Sequence, residues 1–118
     1  MTKILLLVDD SRVSRMMIKT IVLQLHSDWQ VIEAGDAKTA LALTQDQTFD
    51  IAILHLSNSP INSLELAKKI MIKHAQSDYA VVMGDKQNSA GEEAKKLSFA
   101  VIEQPVSEKK IEAFLADC

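Results

Sequence analysis

Glycine and cysteine are scarce in this chain. Three glycines in 118 residues leave few places where a ligand can approach the backbone closely, and they build no Gly-rich phosphate loop. A single cysteine, Cys118, cannot close an internal disulfide, which fits a reducing, cytoplasmic setting. No apolar run is long enough to span a bilayer, so no membrane association is expected. The run Ile4 to Val8 after Lys3 has a faint likeness to a signal peptide, but it is short and is cut by Asp9-Asp10. No strong excess of either charge is present: the net charge is −3 and the pI is near 5.5, which argues against a nucleic-acid partner. The lysine pairs Lys68-Lys69, Lys95-Lys96 and Lys109-Lys110 are scattered among glutamates and read as solvated helix faces. No serine or cysteine nucleophile sits in a strained turn, and no repeat, low-complexity tract or linker divides the chain.

What is present is an ordinary balance for a globular protein, 47% apolar and 25% charged. One domain over 1–118 is long enough for a single core. Ile4 to Val8, Ile51 to Leu54 and Ala80 to Met83 are continuous apolar runs, as strands buried on both faces of a parallel sheet require. Gln30 to Ala34 alternates like an edge strand, and Ala100-Val101-Ile102 is a fifth short strand. Helical stripes lie between them. Val13, Met17, Ile21 and Leu25 share one face after a Ser11 cap. Ala37, Ala40, Leu41 and Thr44 follow Asp36 as cap. Leu64, Ala67 and Met71 form a third stripe, widened by Leu66 and Ile70, with Ser57 to Ser63 read as loop. Ala90, Ala94 and Leu97 form a thin fourth, interrupted by Gly91, and Ile111, Phe114 and Leu115 a fifth after Ser107. Trp29 is expected to pack at an edge strand, and Met16, Met17, Met71 and Met83 in core or gap-filling positions. A βα unit repeated five times predicts an α/β, doubly wound five-stranded parallel sheet with helices on both faces.

In such sheets ligands bind beyond the carboxyl ends of the strands. That places Asp9, Asp10, His55, Gly84, Asp85, Gln104 and Pro105 at one edge. Here "ILLLVDDSRVSRMMIKTIV", "FDIAIL" and "EQPVSEKKIEAFL" together resemble a bacterial response-regulator receiver domain of the CheY-like, flavodoxin-like class. The resemblance covers essentially the whole chain and implies strand order 2-1-3-4-5. It also implies a mechanism. An acidic pair holds magnesium, matched by Asp9 and Asp10. An aspartate ending the third strand accepts a phosphoryl group from a histidine kinase, and His55 stands in its place. A Thr or Ser ending the fourth strand is matched by Gly84, a Lys before the proline by Gln104, the switch aromatic by Val101, and a cis-proline by Pro105. Pro60 is displaced by one position from the usual Met-Pro, Ser63 replaces a glycine, and the stretch from Gly84 to Gln104 is short.

These departures fall on one mechanism. Phosphoryl transfer depends on positioning and on charge stabilisation, and magnesium takes hard oxygen ligands. Imidazole for carboxylate removes a nucleophile and a metal ligand together, so any magnesium site at Asp9 and Asp10 is expected to be weak. Other uses of His55 are conceivable chemically. It could carry a phosphoryl group itself; join Asp9 and Asp10 around zinc, nickel or copper; or act as a general base oriented by Asp10 in a small enzyme. The reading adopted is a partly buried imidazole pairing with the acids as a counter-ion of raised pKa. Asp9-Asp10 could also simply cap the following helix. His26 and His74 fall near helix ends and read as exposed or dipole partners. The chain is thus read as an atypical receiver, not an enzyme, with no resident cofactor. It would act through a protein, such as a histidine kinase or another signalling protein, on the face of the fourth helix, fifth strand and fifth helix. The sequence stops in its last helix, so no fused output domain is expected.

Overall fold

The computed structural model describes residues 2–57, 60–84 and 89–118. Asp85, expected at the sheet edge, and Asn58 and Ser59, expected in a loop, lie outside the described residues. Strands form where the apolar runs fall. β1 (Ile4–Asp9), β3 (Ile51–His55) and β4 (Asp78–Met83) are buried throughout, apart from the first residue of β1 and of β4. They occupy the centre of a sheet ordered β2-β1-β3-β4-β5. The shorter β2 (Gln30–Ala34) and β5 (Ala100–Glu103) form its edges, and every pairing is parallel.

The helices are α1 (Arg12–Leu25), α2 (Ala37–Asp46), α3 (Pro60–Lys73), α4 (Ser89–Lys96) and α5 (Glu108–Ala116). Ser11, Asp36 and Ser107 each cap a helix start by accepting a hydrogen bond from the backbone N–H three residues on. Side-chain alternation sorts the core into two layers. Leu5, Leu7, Ile51, Ile53, Ala80 and Val82 pack with Ile18 and Val22 of α1 and Ile111 and Leu115 of α5. Leu6, Val8, Ala52, Leu54, Val81 and Met83 pack with Ala40, Leu64, Ala67, Ile70, Ala90 and Ala94 from α2, α3 and α4. Trp29 is buried one residue before edge strand β2 and stacks on His26 at 3.8 Å between ring centroids. His74 follows α3, and its Nε2 lies 2.6 Å from the carbonyl of Thr44 near the end of α2.

Two sequence expectations need correction. Helix α3 begins at Pro60, a full turn before Leu64. Proline suits a first helical position, where its missing N–H has no helical partner anyway. Ser63, expected in a loop, is instead helical and fully buried, and its Oγ accepts a hydrogen bond from the Leu56 N–H at 2.8 Å. On α1 the row Val13, Met17, Ile21, Leu25 does not stay on one face. Spacing of four residues drifts by about 40° per step around a helix of 3.6 residues per turn. Ile21 and Leu25 therefore pack against the core, while Val13 is 79% exposed and Met17 42%; Met16, at 61%, is no core residue either.

Candidate functional site

The parallel register of β1 and β3 sets Asp9 directly beside His55. Two consecutive acids then diverge, because successive side chains at a strand end point to opposite sides. Asp9 is fully buried. Its Oδ1 accepts from the Ser11 N–H at 2.9 Å, and its Oδ2 accepts from Ser14 Oγ at 2.5 Å and lies 3.2 Å from His55 Nδ1. Asp10 is exposed and turns toward the loop after β3. There it accepts from the Ser57 backbone N–H at 3.0 Å and from Ser57 Oγ at 2.8 Å. Burial pushes the Asp10 carboxyl up, but the Ser57 hydrogen bonds and the nearby His55 outweigh it and hold the pKa below its usual value. A general base oriented by Asp10 is therefore not what the fold builds: the carboxylate against the imidazole belongs to Asp9.

His55 itself is 6% exposed, more deeply set than the partly buried imidazole anticipated. The hydrogen bond to Asp9 raises its pKa, burial works against that, and the charges of Asp9 and Asp10 add to the rise, so the net shift is upward. Its Nδ1 also lies 3.3 Å from Ser14 Oγ, and its Nε2 lies 3.2 Å from the side-chain nitrogen of Gln104. An amide serves either protonation state. Its NH2 donates to a neutral imidazole, and its oxygen, turned inward, accepts from an imidazolium. A lysine at 104 would offer only donors and a second positive charge.

The rest of the edge is simpler. The Gln104–Pro105 peptide is cis, and Lys110 Nζ donates to the carbonyls of Glu103 and Pro105 on either side of it. Gly84 is exposed, and a Cβ there would meet Gln104 Oε1 at 3.7 Å among the described residues, an ordinary contact. Val101 is half-buried and pairs with Val81 in β4.

No family model matches the chain. Stress response regulator protein 1 of Debaryomyces hansenii is 27% identical over 77 residues, which are 65% of this chain and 32% of that protein. The chain thus spans about a third of the length of that relative. Among solved structures, chemotaxis protein CheY4 of Vibrio cholerae superposes with a TM-score of 0.85 over 99% of this chain and 98% of that one, at 19% identity. A CheY-like response regulator receiver domain protein from Methanospirillum hungatei gives 0.84 over 99% and 93%, at 20% identity. The fold is the CheY-like receiver fold. A response regulator from Thermotoga maritima, at 0.79 over 98% and 99% with 18% identity, agrees.

The receiver fold implies a magnesium site at the acidic pair, and the residues present do not fit one. Both oxygens of Asp9 are already hydrogen-bonded, Asp10 is turned away to Ser57, and an imidazole stands where a third hard oxygen would be needed. The same divergence separates Asp9, Asp10 and His55 as a transition-metal set; no group of three or more His, Cys, Asp or Glu suited to a metal occurs among the described residues. The sequence reading missed the two serines that organise the tip. Ser14 was legible in principle, because a Ser11 cap places it in the first turn of α1, facing the strand end. Ser57 carried no such signal.

Proposed function

We propose that residues 1–118 form an atypical receiver unit of two-component signalling that takes no phosphoryl group at its strand tip and acts by binding a protein. The observation that carries this is the Asp9–His55 pair: an imidazole, held through Nδ1 by a buried carboxylate, stands where the resemblance puts the phosphoacceptor. A nucleophilic carboxylate is absent from that position. Gln104 supplies no fixed positive charge, Gly84 no hydroxyl, and Val101 no aromatic ring that could swing with the state of the site. The protonated His55 instead offsets the acidic pair, which removes the need for a divalent ion. The name of the Debaryomyces hansenii relative, a stress response regulator, accords with a role in signalling.

The binding face in this proposal is α4, β5 and α5. A groove of about 680 Å³ runs there, lined among others by Lys95, Phe99, Val101, Lys110 and Phe114. It follows β5, an edge strand of the sheet. A groove with an apolar floor and a charged rim suits a protein segment, and a histidine kinase or another signalling protein in the cytoplasm is the partner class proposed. No helix among the described residues is long and apolar enough to cross a membrane. The test is chemical. Incubated with a small phosphodonor and magnesium, the protein should gain no phosphoryl mass. A stoichiometric gain that disappears in His55→Ala would overturn the proposal.

A further inference from the structure

The two ring nitrogens of His55 meet groups of opposite kind. Nδ1 lies 3.2 Å from the buried Asp9 carboxylate, which when ionised only accepts hydrogen bonds. Nε2 lies 3.2 Å from the side-chain nitrogen of Gln104, which only donates. That arrangement satisfies one protonation state, the neutral ring with its proton on Nδ1. A proton added at Nε2 sets donor against donor. Turning the amide over removes the conflict, because its oxygen and its NH2 differ in chemistry and hardly in size. The oxygen now lies on the Gly84 side, where an added Cβ would come within 3.7 Å of it. Glycine leaves that side open among the described residues, and Gln104 is itself exposed.

The backbone around the amide does not share this freedom. The Gln104 N–H donates to the Met83 carbonyl at 3.0 Å, and Lys110 Nζ ties the carbonyls of Glu103 and Pro105 on either side. Glu103 and Lys110 both line the groove along β5. The amide thus stands at the carboxyl end of β5, between the strand tip and the groove. We infer that Gln104 reads the proton on His55: its gain turns the amide over, so that the edge beside Gly84 offers a partner in the groove a donor in place of an acceptor. The input is then a proton where other receivers take a phosphoryl group, a regulation that rests on the function proposed above. The groups facing the ring set where it acts. From β1, Asp9 bonds the ring and Asp10 adds its charge; both favour the proton, and burial opposes it. From α1, Ser14 brings a hydroxyl, and Arg15 Nη1 is spent on the Asp9 carbonyl at 2.6 Å. From α3, Ser63 brings a hydroxyl bonded to the Leu56 N–H; from α5, Lys110 is bonded as above. Strand β4 leads to Gly84, and Asp85 beyond it is outside the described residues.

The test is an NMR titration of the full chain, isotopically labelled, from about pH 5.5 to 9, a range that brackets the ordinary histidine value. Protons are the only ligand. At the alkaline end the Gln104 NH2 protons should show Overhauser contacts to the His55 ring. At the acid end these should give way to contacts with the Gly84 α-protons. The backbone amides of Gly84 and residues 101–103 should shift with the midpoint of the ring. Gln104→Met keeps the length of the side chain but cannot accept a strong hydrogen bond from Nε2–H. In that variant the ring should still titrate, at a lower midpoint, while the shifts at residues 84 and 101–103 are largely lost. His55→Gln should abolish them. The other two histidines do not mimic this, because His26 ends α1 and His74 follows α3, at the opposite edge of the sheet. An amide that keeps one orientation, a ring midpoint unmoved in Gln104→Met, or β5 shifts that persist in either variant would each overturn the inference. Phosphoryl gain is read by mass and the amide turn by NMR on the unmodified chain, so the two readings fail separately.

Discussion

Replacing His55 by glutamine keeps a hydrogen-bonding side chain beside Asp9 and removes the ability to carry charge. The consequence for stability follows from linkage. The folded pKa of His55 lies above its ordinary value because Asp9 accepts its hydrogen bond, with burial opposing. Between the unfolded value of about 6.5 and the higher folded value, the native state holds one proton more than the unfolded chain. Stability from this group is then fully present below about pH 6.5 and is lost as pH rises through the folded value. One proton sets the steepest possible slope, about 1.4 kcal/mol per pH unit. A domain of this size turns that into a fall of about 4 °C in Tm per kcal/mol. Asp10 and Glu33 are held low, and the Cys118 thiol, which burial pushes up to about 11, adds its own loss of stability only as pH approaches the ordinary thiol value of about 8.5. The difference between the thermal melts of the two proteins, taken from pH 5.5 to 8, therefore reports on His55. The parent should lose stability from neutral to mildly alkaline pH, and His55→Gln should flatten that trend and start lower at acid pH. Equal slopes would show that burial cancels the carboxylates and leaves His55 unshifted, and stability that rises with pH in the parent alone would show that burial outweighs them; either result refutes the counter-ion role.

Other outcomes are expected from the same geometry. Ser63→Ala leaves the Leu56 N–H buried without its 2.8 Å acceptor and should cost about 1–3 kcal/mol in denaturant melts; a change within experimental error would show that the α3–β3 link is incidental. Gly84→Ser should alter stability by no more than about 0.5 kcal/mol, because the added Cβ meets only an ordinary contact at 3.7 Å among the described residues; a large loss would mean glycine is structurally required there. His55→Asp should be phosphorylated only poorly by a small phosphodonor, since Gly84 and Gln104 remain and Asp10 stays turned to Ser57. Efficient labelling of that single variant would refute the importance given to the missing hydroxyl and cation.

The sheet was legible because its signal is redundant. Continuous apolar runs at Ile51–Leu54 and Ala80–Met83 leave no polar face for water, and three cap residues mark helix starts that the backbone follows. Periodicity misled where the helix is wider than its buried face: Val13 and Met17 lie in a four-residue row with Ile21 and Leu25, yet rotate out to solvent. At the tip, residue types pointed to an acid–imidazole pair but not to which acid. Strand register decided that, by placing Asp9 across from His55 and sending Asp10 to the opposite side. Ser14 follows from the Ser11 cap, whereas Ser57 became visible only once the loop after β3 was brought beside Asp10. The start of α3 at Pro60 was obscured because proline reads equally as a loop residue and as a first helical residue.

The claim at the centre of this account is that a protonated His55, not a divalent ion, balances the acids at the strand tip. A nitrogen-detected NMR titration of the His55 ring, run with and without magnesium, addresses it directly. The His55 ring should titrate above about 6.5, with a midpoint that falls in Asp9→Asn and is unmoved by magnesium. A value at or below 6.5, or a saturable magnesium-dependent shift at His55 and Asp10, would contradict it.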